Sequence, residues 1–196
     1  ACAPFRRSSL CDHHLSYMNA DKTNTTDNLL LEVSLAAKYE GETLTTQHGE
    51  HHRDSSGSTI CTELARSFAD IGDIVRGKDL YRGGNSKEKK KREDLENKLK
   101  EIFKKIYEEL SKKGAQTYYN DDTPDFLKLR EDWWNANRQD VWKAITCHAG
   151  QGAQYVGLTC SEGGSSAHKK CTCASGDVPT YFDYVPQYLR WFEEWA

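Results

Sequence analysis

Apolar positions recur at helical spacing along most of the chain. Between residues 60 and 75, Ile60, Leu64, Phe68, Ile71 and Val75 fall three or four apart, the single stripe of an amphipathic helix. Ala65, Ala69 and Gly72 form a second line of small residues beside it, which lets a neighbouring helix come close, and Gly77 is placed to end the helix. Residues 87–113 carry the clearest pattern: Leu95, Leu99, Ile102, Phe103, Ile106, Tyr107 and Leu110 repeat with a period near 3.6. Acid precedes base at i,i+4 in Asp94–Lys98, Glu96–Lys100, Glu101–Lys105, Glu108–Lys112 and Glu109–Lys113, each pair adding ~0.2–0.5 kcal/mol, and Gly114 closes the segment.

Three further segments complete the pattern. Residues 27–40 predict a helix capped by Asp27 or Thr26 and stopped by Gly41, followed by a polar loop through Ser58. Thr123-Pro124 predicts an N-cap and a first-turn proline for a helix bearing Phe126, Leu129, Trp133, Trp134, Val141, Trp142 and Ile145. Its apolar residues lie on two faces, so it belongs in the centre of a bundle. Residues 148–179 are rich in glycine and serine and irregular, and a last helix starts near Pro186. No convincing strand pattern is present. The expected class is mostly α, a helical bundle with long irregular loops.

Cysteine content adds covalent staples. Cys2, Cys11, Cys61, Cys147, Cys160, Cys171 and Cys173 are many for a reducing compartment, so disulfides are the first reading and a zinc site the weaker one. The odd count leaves at least one thiol unpaired within the chain, and spacing does not give the connectivity. The sequon Asn24-Thr25-Thr26 fits an exported protein. The absence of an initiator Met and the ending WFEEWA inside an amphipathic pattern suggest a fragment truncated at both ends.

Charge narrows the function. With 37% apolar and 29% charged residues and a net charge of −3, the chain is no general nucleic-acid binder. Asp70 and Asp73 are spaced like a catalytic or metal-binding pair. With Arg66 and Arg76 on the same helix and no nucleophile beside them, they read as ion pairs that join helices or keep an outer face wet. His48, His51 and His52 lack the HExxH register, and His13-His14 is weaker still, so both read as solvated surface. No Cys-His nucleophile pairing, GxSxG elbow or phosphate-binding glycine loop occurs. An enzyme, a cofactor and a resident metal are therefore not expected. The polyanion candidate is Lys87, Lys89, Lys90, Lys91 and Arg92, within a segment holding eleven Lys/Arg against seven Asp/Glu. Cations at a helix N-terminus oppose the macrodipole, so local helix stability does not account for them.

Five ordered blocks carry a resemblance: CAPFRRSSLC, LLLEVSLAAKYEG, ICTELARSFADIGDIVRGKDLY, LREDWWNANRQDVWKAITC and VPTYFDYVPQYLRWFEEWA. The chain resembles a Duffy-binding-like domain of the alpha class, from the variant erythrocyte membrane protein 1 family of Plasmodium falciparum. The resemblance implies a disulfide-stapled helical adhesion domain, not an enzyme, exported to the surface of the infected erythrocyte. Residues 1–196 would form one domain fragment: the end of subdomain 1, subdomain 2 and the start of subdomain 3. The implied partners are a host receptor protein or glycan (heparan sulfate, complement receptor one or a blood-group sugar, as in rosetting), neighbouring domains of the same chain, and host antibodies. A spacer that positions an adjacent receptor-binding domain is the alternative. Ser34 stands where many relatives carry cysteine, which removes any bridge from that position.

Overall fold

The computed structural model describes residues 2–51, 58–112 and 114–195. Two single-turn helices, α1 (Phe5–Ser8) and α2 (His13–Ser16), lead into α3 (Thr26–His51) and α4 (Ser58–Arg76). The long α5 (Ser86–Lys112), the central α6 (Leu127–Ile145) and the terminal α7 (Gln187–Trp195) follow. Among the described residues the only β pairings are isolated bridges, Cys160–Ser165 and Lys169–Thr172. The fold is mostly α, as the periodicity predicts.

α6 lies between α3 and α4, and its two apolar faces are both used. Trp134 and Trp142 are fully buried, each ring 5.1 Å from the Phe68 ring of α4. On the other side Trp133 meets Phe103 of α5 edge-on at 6.2 Å. The small-residue line on α4 works as expected. A Cβ at Gly72 would stand 2.7 Å from Trp134 Cζ2, so only glycine admits the indole here. Gly77, with φ +72°, ends α4 while the Lys78 N–H reaches back to the Asp73 carbonyl.

Two helix boundaries differ from the sequence expectation. Gly41 does not stop α3, which runs on through ten further residues to His51. A Cβ at Gly41 would lie 1.9 Å from the Ile145 carbonyl oxygen, so this glycine marks where α3 crosses the end of α6. Within the polar segment the Thr43, Thr45 and Thr46 hydroxyls bond back to the carbonyls of Tyr39, Gly41 and Glu42, which satisfies them inside the helix. Likewise α6 begins at Leu127, not at Thr123-Pro124. The Asp122 carboxylate accepts from the Lys128 and Leu129 N–H groups at 2.8 and 2.7 Å, supplying the cap.

The irregular segment is pinned to the helices by two disulfides, Cys61–Cys171 and Cys160–Cys173. The first joins α4 to the segment across 110 residues, and Trp142 Nε1 donates to the Cys171 carbonyl beside it. Cys2, Cys11 and Cys147 carry unpaired sulfurs; Cys2 and Cys147 are exposed.

Candidate functional site

The basic run sits at the start of α5, and the first turn shows how the helix tolerates it. Asn85 caps the helix, accepting from the Lys87 and Glu88 N–H groups at 3.1 and 3.0 Å. Glu88 answers from the third position, accepting from Asn85 Nδ2, the Gly84 N–H and the Tyr81 hydroxyl at 2.9, 2.8 and 3.0 Å. The spacing, NSKE, is that of a capping box, with the Glu88 carboxylate reaching the Asn85 side chain and the Gly84 N–H. The Gly84 and Tyr81 hydrogen bonds hold the Glu88 carboxyl below its usual range, so one fixed anion faces the positive helix end beside the lysines.

Lys87, Lys89, Lys90 and Lys91 are exposed, and none forms an ion pair among the described residues. Lys87, Lys90 and Lys91 recur at i, i+3 and i+4 and so share one face. Arg92 does not join them. Its side chain turns inward to pair with Asp12, and its guanidinium lies 5.3 Å from the centre of the Tyr81 ring. Arg7, paired with Asp79, approaches the same ring at 4.9 Å. Burial and the charge of Arg7 lower Arg92 to about 10. The exposed patch therefore comprises four lysines, and Arg92 fastens α5 to the N-terminal segment.

Asp70 and Asp73 are both buried, so the wet-face reading of these acids is overturned; they join helices. Asp70 accepts from Arg6 and Arg190, each at 2.7 Å, and from Gln187 at 3.0 Å. Asp73 accepts from Arg190 at 2.5 Å and from Arg76 at 3.1 Å. The Asp73–Arg76 pair is the expected one, whereas Arg66 reaches Glu193 of α7 in place of Asp70. Arg76 continues to Glu131 of α6 and to the Asp183 carbonyl, and Arg6 to Glu194 of α7. The network ties α1, α4, α6 and α7 together.

The two acids respond oppositely to this setting. Burial pushes Asp70 up, but Arg6 and Arg190 outweigh it and hold the carboxyl below its ordinary value. For Asp73 burial prevails over Arg190 and Arg76, and its carboxyl is pushed up to about 6. Every oxygen of the pair faces a guanidinium or an amide of the protein, an arrangement that holds a fold together and presents no open face to a substrate.

Of the remaining candidates, His48 and His51 lie on the last turns of α3, while His52 falls outside the described residues. Sequence reasoning missed Arg6, Gln187 and Arg190 as partners of Asp70. They stand 64, 117 and 120 residues away, and no local pattern links them. The Asn85–Glu88 spacing was a further local signal at the start of α5 that the sequence reading did not use.

Comparison with known proteins places these features. Residues 1–190 match the family model of the Duffy binding domain. The fold superposes with a TM-score of 0.84 on the NTS-DBL1-alpha and CIDR-gamma double domain of PfEMP1 from the Plasmodium falciparum varO strain. That match has 44% identity and covers 100% of this chain and 27% of that one. The PfEMP1 IT4var13 DBLbeta domain bound to ICAM-1 gives a TM-score of 0.73 and 32% identity, covering 100% of this chain and 44% of that one. The Duffy receptor gamma form of Plasmodium knowlesi is 23% identical over 202 residues, covering 100% of this chain and 15% of its own length. The chain thus spans a small part of its curated relatives. It belongs to the Duffy binding domain family.

Proposed function

We propose that this chain is part of a host-receptor adhesion domain displayed on the infected erythrocyte, and that it engages a sulfated glycan through Lys87, Lys89, Lys90 and Lys91. Residues 1–196 are read as the end of one subdomain, a helical second and the start of a third. One observation carries the glycan reading: four exposed lysines, unpaired among the described residues, lie on a helix whose apolar stripe is already consumed by the core. Family membership supports adhesion, since a solved relative is a PfEMP1 DBLbeta domain bound to ICAM-1. Neutral variants of all four lysines (K87Q/K89Q/K90Q/K91Q) should leave heparin at lower salt than the parent, because fewer counterions are exchanged on binding. Unchanged retention would remove these lysines from the account.

A further inference from the structure

A second cation cluster lies away from α5, where the end of α6 meets the disulfide-pinned segment. A groove of about 650 Å³ is lined there by Lys143, His168, Lys169 and Lys170, with the exposed, unpaired Cys147 among its lining and no carboxylate. Three other clefts on the described surface all carry acids: Glu88 and Asp94 in one, Glu93 and Asp125 in another, Asp73 and Asp183 in the third. In a chain of net charge −3, a groove whose charged lining is three lysines and no acid is a local inversion of sign.

Helix stability accounts for part of it. Lys170 Nζ donates to the Cys147 carbonyl at 2.9 Å, satisfying a group just beyond the negative end of α6. Lys143 meets Asp140 at 3.0 Å, but both side chains are more than half exposed, and such pairs contribute little. Lys169 and His168 have no comparable structural task among the described contacts. They are nevertheless held firmly. The His168 N–H bonds the Thr172 carbonyl at 2.8 Å, and the Thr172 N–H returns to Lys169 at 3.0 Å. The turn between them is fixed on one side by Cys61–Cys171 and on the other by Cys160–Cys173. Side chains presented on a rigid turn spare the backbone its ordering cost when they bind an anion, leaving only the side-chain cost.

We infer that this groove is a second anion site, which takes a sulfated segment of a glycan across Lys143, His168 and Lys169. The anion site stands on the groove itself; the choice of a sulfated glycan rests on the function proposed above. Cys147 supplies the probe, because a ligand in the groove covers its sulfur, while exposed Cys2 is an internal control.

The test is site-resolved alkylation of the oxidised chain with and without a heparin octasaccharide. At ten times its dissociation constant the octasaccharide should slow Cys147 alkylation about tenfold, the fraction of groove left empty, and leave Cys2 unchanged. K143Q/H168Q/K169Q should lose this protection, and K87Q/K89Q/K90Q/K91Q should keep it. Undiminished alkylation of Cys147 at saturating octasaccharide overturns the site. Equal protection by polyglutamate overturns the glycan assignment and points to an acidic peptide. Protection lost only in the α5 variant assigns all binding to α5 and refutes the second site. Failure of the α5 reading is separate, appearing as unchanged heparin retention of that variant while Cys147 stays protected.

Discussion

α4 and α5 both carry acids and bases at helical spacing, sparsely on α4 and densely on α5, and the fold treats them in opposite ways. On α4, Asp70, Asp73 and Arg76 are buried, and their partners come from α1, α6 and α7. On α5, Lys87, Lys89, Lys90 and Lys91 stay in water, while Arg92 turns inward to Asp12 and, further along, Lys100 and Lys105 reach Asp125 and Asp21. The difference lies in what the rest of the chain brings to each helix. α4 is enclosed by neighbours on several sides, so a charge on it is either paired or very costly. α5 rests on the bundle by one stripe and leaves its first turns open. Charge on α4 is therefore architecture, and the lysine charge on the first turns of α5 is free to meet a partner.

This contrast can be broken by experiment. The largest effect is expected at Gly41, whose substitution by alanine drives a Cβ into the backbone of α6 and should cost several kcal/mol, at or above the ~1–3 kcal/mol typical of overpacking. Chemical denaturation measures it. Asp70→Ala should cost about 3–5 kcal/mol by the same assay, because it leaves Arg6 and Arg190 short of a buried acceptor. An unfolding midpoint unchanged in that variant would mean the network is incidental.

The pH response of Asp73 is subtler, and its sign is fixed. Its carboxyl titrates at about 6 in the folded chain against 3.8 in the reference state, so between those values the folded form binds more protons. Asp73 thus contributes stability that grows as pH falls from about 6 towards 4. Asp70, shifted the other way, contributes stability present above its ordinary value and lost as pH falls through its lowered one. Subtracting the stability–pH curve of Asp73→Asn from that of the parent should leave a term that rises on acidification across this window. A flat difference would contradict the assignment. The smallest effect belongs to α5: K87Q/K89Q/K90Q/K91Q removes the Lys87–Lys91 like-charge pair at i,i+4, so stability should hold or rise by ~0.2–0.5 kcal/mol.

The apolar stripes were legible in the sequence because each repeats within its own helix, as at Leu95, Leu99, Ile102 and Ile106, all buried on α5. Gly72 was legible as part of a small-residue line. Gly41 was not, although it is the same device, because its neighbour is a backbone carbonyl 104 positions later. The i,i+4 pairs on α5 were legible as pairs, but of the four whose residues are described only Glu101–Lys105 forms; Lys113 of the fifth lies outside the described residues. Glu96 meets Arg130, Lys100 meets Asp125, and Lys98 bonds the Ser16 carbonyl, while Glu101–Lys105 persists at 3.7 Å. Tertiary partners displaced local ones at Glu96, Lys98 and Lys100, while Lys105 keeps Glu101 and adds Asp21. The site was legible to the same extent: the lysines were visible in the sequence, and the inward turn of Arg92 depended on Asp12, eighty positions earlier.

Heparin retention of Asp70→Asn beside that of K87Q/K89Q/K90Q/K91Q, compared at equal folded fraction, tests the division between the two helices most directly. Asp70→Asn should keep parental retention at reduced stability, and the lysine variant should elute earlier at parental stability or above. Earlier elution of the Asp70 variant with unaltered retention of the lysine variant would contradict it.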